Sequence, residues 1–175
     1  TDQRLHRDCV LDKFRKQNGW MIWGGFLGPE KGLSLFWESK RGSIDYRRYC
    51  EKIVPLIHEV FRRKPGISLM QDNAPSHSSV MTITGLQSRG IPFIKWPACS
   101  PDLNPIESVW NKMKYFIQDN YPELGNGKQR SIGQIRSIVE EAWNSVSTED
   151  LLSFLRTMPA RCEAVVKADG GPTKY

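Results

Sequence analysis

Two carboxylates set into heavily punctuated sequence constrain this chain more than any other feature. Asp72 follows a short apolar run, Ile67-Ser68-Leu69-Met70, opened by Pro65-Gly66 and closed by Asn73-Ala74-Pro75. A run of that length between breakers reads as a buried strand delivering a carboxylate at its C-terminal end. Glu107 follows after 34 intervening residues. It opens an amphipathic pattern, Ile106, Val109, Trp110, Met113 and Ile117, that reads as a helix. A carboxylate at a strand end and another on a later helix can converge on one divalent cation. The fold must then bring those two elements side by side.

The rest of the chain supplies plausible scaffold. Trp20 to Phe26 is a dense apolar run of strand length, with Gly24-Gly25 leaving room for close approach of another backbone. Gly28-Pro29-Glu30-Lys31-Gly32 is turn chemistry and Leu33 to Trp37 a second strand, so the pair reads as a hairpin. Ser43 is a candidate N-cap for a helix carrying Tyr46, Tyr49, Ile53, Leu56, Ile57, Val60 and Phe61. Pro55 predicts a kink in it, or two abutting helices. After Asp72 come a predicted helix from His77 to Arg89, a strand from Ile91 to Trp96 and a proline-rich loop from Pro97 to Pro105. Beyond the Glu107 helix and a loop at 122–127, Ser131 with Gln134 resembles a capping box. Further helices follow Ser147 and Pro159. The order predicts an α/β layered architecture, a mixed sheet with helices packed on it. It divides into a lead-in over 1–18, a core over 19–120 and C-terminal helices over 121–175.

A chain of 175 residues and 20.1 kDa fits one domain and can bury roughly 70% of its unfolded surface. The net charge of +6 and a pI near 9.2 favour a polyanionic partner. No apolar run approaches the ~20 residues of a spanning helix, so a membrane is not the expected partner. Cys9, Cys50, Cys99 and Cys162 form no C-x-x-C pair and read as reduced thiols of a cytosolic or nuclear protein. His6, His58 and His77 are too dispersed for a zinc cluster.

Each carboxylate has a plain structural alternative. Asp72 can cap the turn into Asn73-Ala74-Pro75. With Asn104 as N-cap and Pro105 as first helical residue, Glu107 can reach back as in a capping box. The chemical reading rests on electrostatics. Two carboxylates about 4 Å apart repel by about 4 kcal/mol at an effective dielectric near 20, and stay ionised together only with a cation between them. Mg²⁺ suits such a site, being hard and commonly held by one or two carboxylates plus phosphate oxygens. His77 is placed to contact DNA or phosphate, or to pack at a helix start. Lys112 and Lys114 are candidates for the DNA backbone, or for a solvated face.

At these residues the sequence resembles the catalytic domain of the Tc/mariner superfamily of cut-and-paste DNA transposases. The matching blocks are Met21-Ile22-Trp23-Gly24, Gln71-Asp72-Asn73-Ala74-Pro75 with His77, and Trp96-Pro97-Ala98 followed by Ser100 to Glu107. Val109-Trp110, Met158-Pro159-Ala160-Arg161 and the stretch from Gly170 to Tyr175 extend the likeness over nearly the whole chain. The resemblance implies an RNase H-like fold with an Asp-Asp-Glu metal site, in which Asp72 and Glu107 are two ligands for Mg²⁺ (or Mn²⁺). It further implies binding of terminal inverted repeats, insertion at TA target sites, dimers, and action in the nucleus. The family's first Asp lies on the first, central strand. None of Asp2, Asp8 and Asp12 ends a strand-like run, so this strand, the first Asp and the upstream DNA-binding domains are expected to be missing and the chain to be cut on its N-terminal side. Its start at Thr1 fits a fragment or processed chain. The expectation is a chain inactive on its own. The alternatives are a decayed or domesticated non-catalytic remnant, or another RNase H-like nuclease.

Overall fold

The structure, a computed structural model, describes residues 20–38, 40, 42–98, 100–126, 130–171 and 173. The expectations for the lead-in segment, Cys9 and Cys99 fall outside these residues. Strands β1 (Trp20–Leu27) and β2 (Glu30–Glu38) form the predicted antiparallel hairpin, closed by Gly28-Pro29. Gly28 takes the positive φ of 56° that a tight turn requires. The register shifts between Gly24 and Phe26.

Alternation along the hairpin gives it two apolar faces, because successive side chains of a strand point to opposite sides. Trp20, Ile22, Phe26 and Phe36 pack on one core, built from Val109, Met113, Ile135, Val139, Ala142, Trp143, Val146 and Leu151. Trp23 and Leu35 pack on another, built from Tyr49, Ile53, Val54, Ile57, Leu86 and Ile91. The hairpin is thus a layer between two groups of helices, the predicted α/β layering.

One group comprises α1 (Val54–Arg63) and α2 (Val80–Gln87); the other comprises α3 (Ile106–Asn120), α4 (Ile132–Ser145), α5 (Thr148–Arg156) and α6 (Met158–Lys167). Helices α3 and α4 pack together, and α5 touches both β2 and α6. The Ser131–Gln134 capping box is formed as expected, and Ser147 with Asp150 makes a second at the start of α5. At the far end of α4, Lys31 Nζ donates to the carbonyls of Trp143 and Asn144 at 3.1 and 2.9 Å. A cation is favoured there by the helix dipole.

Several local expectations need correction. The N-cap near residue 45 is Asp45, whose Oδ1 accepts from Arg48 N at 2.9 Å, not Ser43. At Pro55 the second expected outcome holds, abutting helices rather than a kink. A helical turn at Tyr46–Arg48 and a π-helical turn at Tyr49–Ile53 precede α1, placing Pro55 at its start, where no N–H is needed. The His77–Arg89 helix is split into Pro75–Ser78 and α2. Ser79 is extended between them and its Oγ caps Thr82 N at 3.1 Å. The strands expected at 67–70 and 91–96 shrink to a single parallel bridge, Leu69 to Phe93. Pro92 has no N–H to donate, so the ladder cannot extend through it. What approaches Gly24 is not backbone but two indoles: a Cβ there would lie 2.9 Å from Trp143 and 3.2 Å from Trp110.

Candidate active site

Asp72 lies beyond the Leu69 bridge, in extended chain that leads into the Pro75–Ser78 turn. Its carboxylate is fixed from one side. Oδ1 accepts from Ala74 N at 3.0 Å, the turn-capping bond expected of an Asp here, and from the ring of His77 at 2.5 Å. Nδ1 of His77 must carry the proton for that bond to an ionised acid. Oδ2 has no partner among the described residues.

His77 is itself held. Its ring lies 4.6 Å from that of Tyr49, and its carbonyl accepts from Gln71 Nε2 at 3.4 Å. Tyr49, 1% exposed, donates its hydroxyl to Gln71 Oε1 at 2.8 Å. Burial first, and the charge of Asp72 among lesser causes, push the Tyr49 phenol up, so it remains a donor at any ordinary pH. Asn73 ties the next residue to the 91–98 segment by donating to Trp96 O at 2.9 Å. Sequence reasoning placed Gln71 in the motif but gave Tyr49 no role. Its signal was indistinguishable from that of any core aromatic on a helical stripe.

Glu107 stands in the first turn of α3. Asn104, buried, caps the start of this helix: its Oδ1 accepts from Ile106 N at 3.3 Å and its carbonyl from Glu107 N at 3.2 Å. The carboxylate of Glu107 does not close the expected alternative, a capping box: the Asn104 N–H it would accept from donates to Pro101 O at 2.8 Å. It has no hydrogen-bond or ion-pair partner among the described residues. Its carboxyl is pushed above the ordinary range, first by loss of solvent and second by the charge of Asp72. Asp72, His77, Asn104, Glu107 and Trp110 all line one cavity of about 540 Å³.

This arrangement suits a hard cation in part. Two carboxylates in one cleft, each with oxygen atoms unmatched by protein donors and repelling each other, are the oxygen donors Mg²⁺ or Mn²⁺ takes. Among the described residues no group of three or more His, Cys, Asp and Glu side chains stands close enough to form a complete ligand set. Lys112 and Lys114 lie further along α3. Lys112 Nζ is paired with Asp150 at 2.6 Å, and Lys114 lines a second cavity of about 280 Å³ beside Trp20, Ile117 and Tyr121. Cys50 and Cys162 are free thiols, as expected. No helix among the described residues is long and apolar enough to cross a membrane.

Comparison with known proteins agrees with this geometry. The sequence pattern of the DDE superfamily endonucleases matches residues 6–125, which include both carboxylates. The Tc3 transposase of Caenorhabditis elegans is 32% identical over 158 residues, covering 89% of this chain and 45% of that protein. The Tcb1 transposase of Caenorhabditis briggsae is 31% identical over 161 residues, covering 89% and 54%. The chain spans about half the length of the curated relatives it matches. Among solved structures, the Mos1 transposase catalytic domain with raltegravir and Mn superposes with a TM-score of 0.72 at 18% identity, covering 90% of this chain and 82% of that one. A pre-cleavage Mos1 transpososome gives 0.75 at 17% identity, covering 91% and 47%. At such identities the likeness establishes the fold, which is RNase H-like. The chain belongs to the DDE superfamily endonuclease family.

Proposed function

We propose that this chain forms part of the catalytic domain of a cut-and-paste DNA transposase, with Asp72 and Glu107 as two ligands of a divalent-metal site for phosphodiester cleavage and strand transfer. The observation that carries this reading is Glu107. Its carboxyl is raised by desolvation and by a second carboxylate and has no hydrogen-bond or ion-pair partner among the described residues. Such a carboxylate beside a second one in the same cavity is where a divalent cation would be favoured. Bound divalent ions would supply activation of a water or 3′-hydroxyl and stabilisation of the leaving oxygen.

In this scheme His77 orients Asp72 by occupying Oδ1, which leaves Oδ2 without a partner among the described residues. That role replaces the direct DNA contact expected for it. Lys112 and Lys114 remain the candidates for phosphate contact, Lys112 at the expense of its pairing with Asp150. The substrate is DNA at transposon terminal inverted repeats with insertion at TA sites. The protein acts in the nucleus as a dimer. Support comes from the Tc3 and Tcb1 likenesses and from the Mos1 paired-end complex that shares the fold at a TM-score of 0.68.

The test is Mg²⁺- or Mn²⁺-dependent nicking of inverted-repeat DNA by the intact protein that carries this chain. Asp72→Ala and Glu107→Gln should each abolish it, and cleavage that survives Asp72→Ala would overturn the assignment. The 175 residues alone are expected not to cleave, since two carboxylates do not position two ions. A non-catalytic, DNA-binding role is the second reading, favoured by the incomplete ligand set among the described residues. Metal-dependent cleavage by this chain, lost in Glu107→Gln, would refute it.

A further inference from the structure

Arg161, in the first turn of α6, is only 6% exposed. Its guanidinium donates to three groups among the described residues. Nε donates to Thr157 Oγ1 at 2.8 Å, Nη1 to the carbonyl of Asp102 at 3.0 Å, and Nη2 to Ser108 Oγ at 2.7 Å. Asp102 belongs to the 3₁₀ turn Pro101–Leu103 just before α3, and Ser108 directly follows Glu107. The same turn is gripped a second time, because Asp102 Oδ2 accepts from Thr173 N at 2.8 Å and Thr173 Oγ1 at 2.5 Å.

A buried guanidinium is an expensive way to fill space, since its charge must be desolvated and an apolar side chain of similar volume often does better. The position is also poor for a cation, near the N-terminal ends of both α3 and α6, where the helix dipoles favour negative charge. What the guanidinium adds is a rigid planar fork that sets several acceptors at fixed spacing, which neither lysine nor an apolar residue can do. Two of those acceptors, Asp102 O and Ser108 Oγ, bracket Glu107 in sequence.

We propose that Arg161 is a positioning residue for Glu107, holding the turn before it and the helix start around it as one rigid piece, with Thr173 as a second tether. The proposal rests on the reading of Glu107 as a metal ligand. The C-terminal segment, which has no carboxylate in the site, thereby sets where one ligand stands.

Hydrogen exchange and Mn²⁺ titration of the chain test this together, the latter read by the electron paramagnetic resonance of free Mn²⁺. Arg161→Lys keeps charge and stem but not the fork, and is the variant to use if Arg161→Ala does not fold. Amides of residues 102–110 should exchange roughly tenfold faster or more, in keeping with lost charged hydrogen bonds, while those of the hairpin stay unchanged. Mn²⁺ affinity should fall toward that of Glu107→Gln. Thr173→Val should shift both readouts the same way by less, and methylguanidinium should restore affinity to Arg161→Ala. Unchanged exchange at 102–110, or unchanged Mn²⁺ affinity in Arg161→Lys while Glu107→Gln weakens it, would overturn the role of Arg161 alone. Equal Mn²⁺ binding by the parent chain and Glu107→Gln would instead remove the metal-site reading, and the positioning role with it.

Discussion

Replacing Glu107 by Gln should make the metal-free chain more stable at neutral pH. The Glu107 carboxyl is raised above its ordinary range by desolvation first and the charge of Asp72 second. A carboxyl raised on folding binds its proton more tightly in the folded state than in the unfolded one. Its contribution to stability is therefore fully present below the ordinary carboxylate value and is lost as pH rises through the raised value. Gln has nearly the shape of the protonated acid and no such slope. Because Glu107 is exposed at the cleft rim, solvent screens the repulsion and the gain is held to about 1 kcal/mol or less. For a chain of this size that is a rise in Tm of roughly 2–4 °C. The assay is thermal unfolding followed by circular dichroism, with chelator present, at about pH 4 and about pH 7. Variant and parent should melt together at the lower pH and separate at the higher. Adding Mn²⁺ should reverse the order, because only the parent gains a ligand-bound folded state. If Glu107→Gln is the less stable protein at neutral pH with chelator present, the carboxylate has a structural partner and the reasoning fails.

Three other perturbations probe the site and its support. His77→Ala leaves Asp72 Oδ1 with the Ala74 N–H alone among the described residues and should weaken Mn²⁺ binding by roughly tenfold or more, as loss of an orienting partner does; unchanged affinity would remove His77 from the site. Gly24→Ala places a methyl group 2.9 Å from Trp143 and should destabilise by about 1–3 kcal/mol, the usual cost of overpacking, with urea unfolding as the measurement. Lys112→Ala removes the pairing with Asp150, whose carboxyl burial pushes up but whose bonds from Lys112 and Ser147 outweigh that and hold it below the ordinary range. Stability from this group is present at neutral pH and lost as pH falls through the lowered value. The variant should lose less than about 1 kcal/mol near neutrality and show a shallower acid slope. A large, salt-dependent loss of DNA affinity in Lys112→Ala would show that the lysine leaves Asp150 for phosphate.

What the sequence disclosed about this fold followed from local chemistry. The hairpin was legible because Trp20 to Phe26 and Leu33 to Trp37 flank Gly28-Pro29, but which residues share a face was not, because the first run is apolar almost throughout. The α4 start was legible because a capping box is a four-residue affair. The segments around Asp72 were misread because an apolar run bounded by breakers has strand composition whether or not a neighbour exists to pair with it. Ladder partners are a tertiary matter, and Pro92, with no N–H, stops this ladder on one side of the bridge. The split at Ser79 was missed because helical periodicity on both sides of it hides a serine that caps rather than continues. For the site, the two carboxylates stood out through spacing and resemblance. The Tyr49–Gln71–His77 support and the Arg161 clamp did not, since bonds across 22 residues or across 53 and 59 leave no periodic trace.

The two carboxylates are reached from opposite sides of the hairpin, and adjacent residues of β1 connect to each. Trp23 faces the core that contains Tyr49, and Tyr49 holds Gln71 next to Asp72. Gly24 faces the other way, where Trp110, one turn beyond Glu107 on α3, closes over it beside Trp143. The strand therefore acts as a spacer between two separately built halves, and the distance between the carboxylates depends on how each half seats against it. An added methyl at Gly24 should displace α3 and with it Glu107, while leaving the Asp72 turn in place. Mn²⁺ affinity of folded Gly24→Ala should then drop toward that of Glu107→Gln, and the exchange of residues 71–78 should remain that of the parent. If the variant folds and binds Mn²⁺ as the parent does, α3 takes its position from the helices behind it, and the hairpin has no part in setting the site.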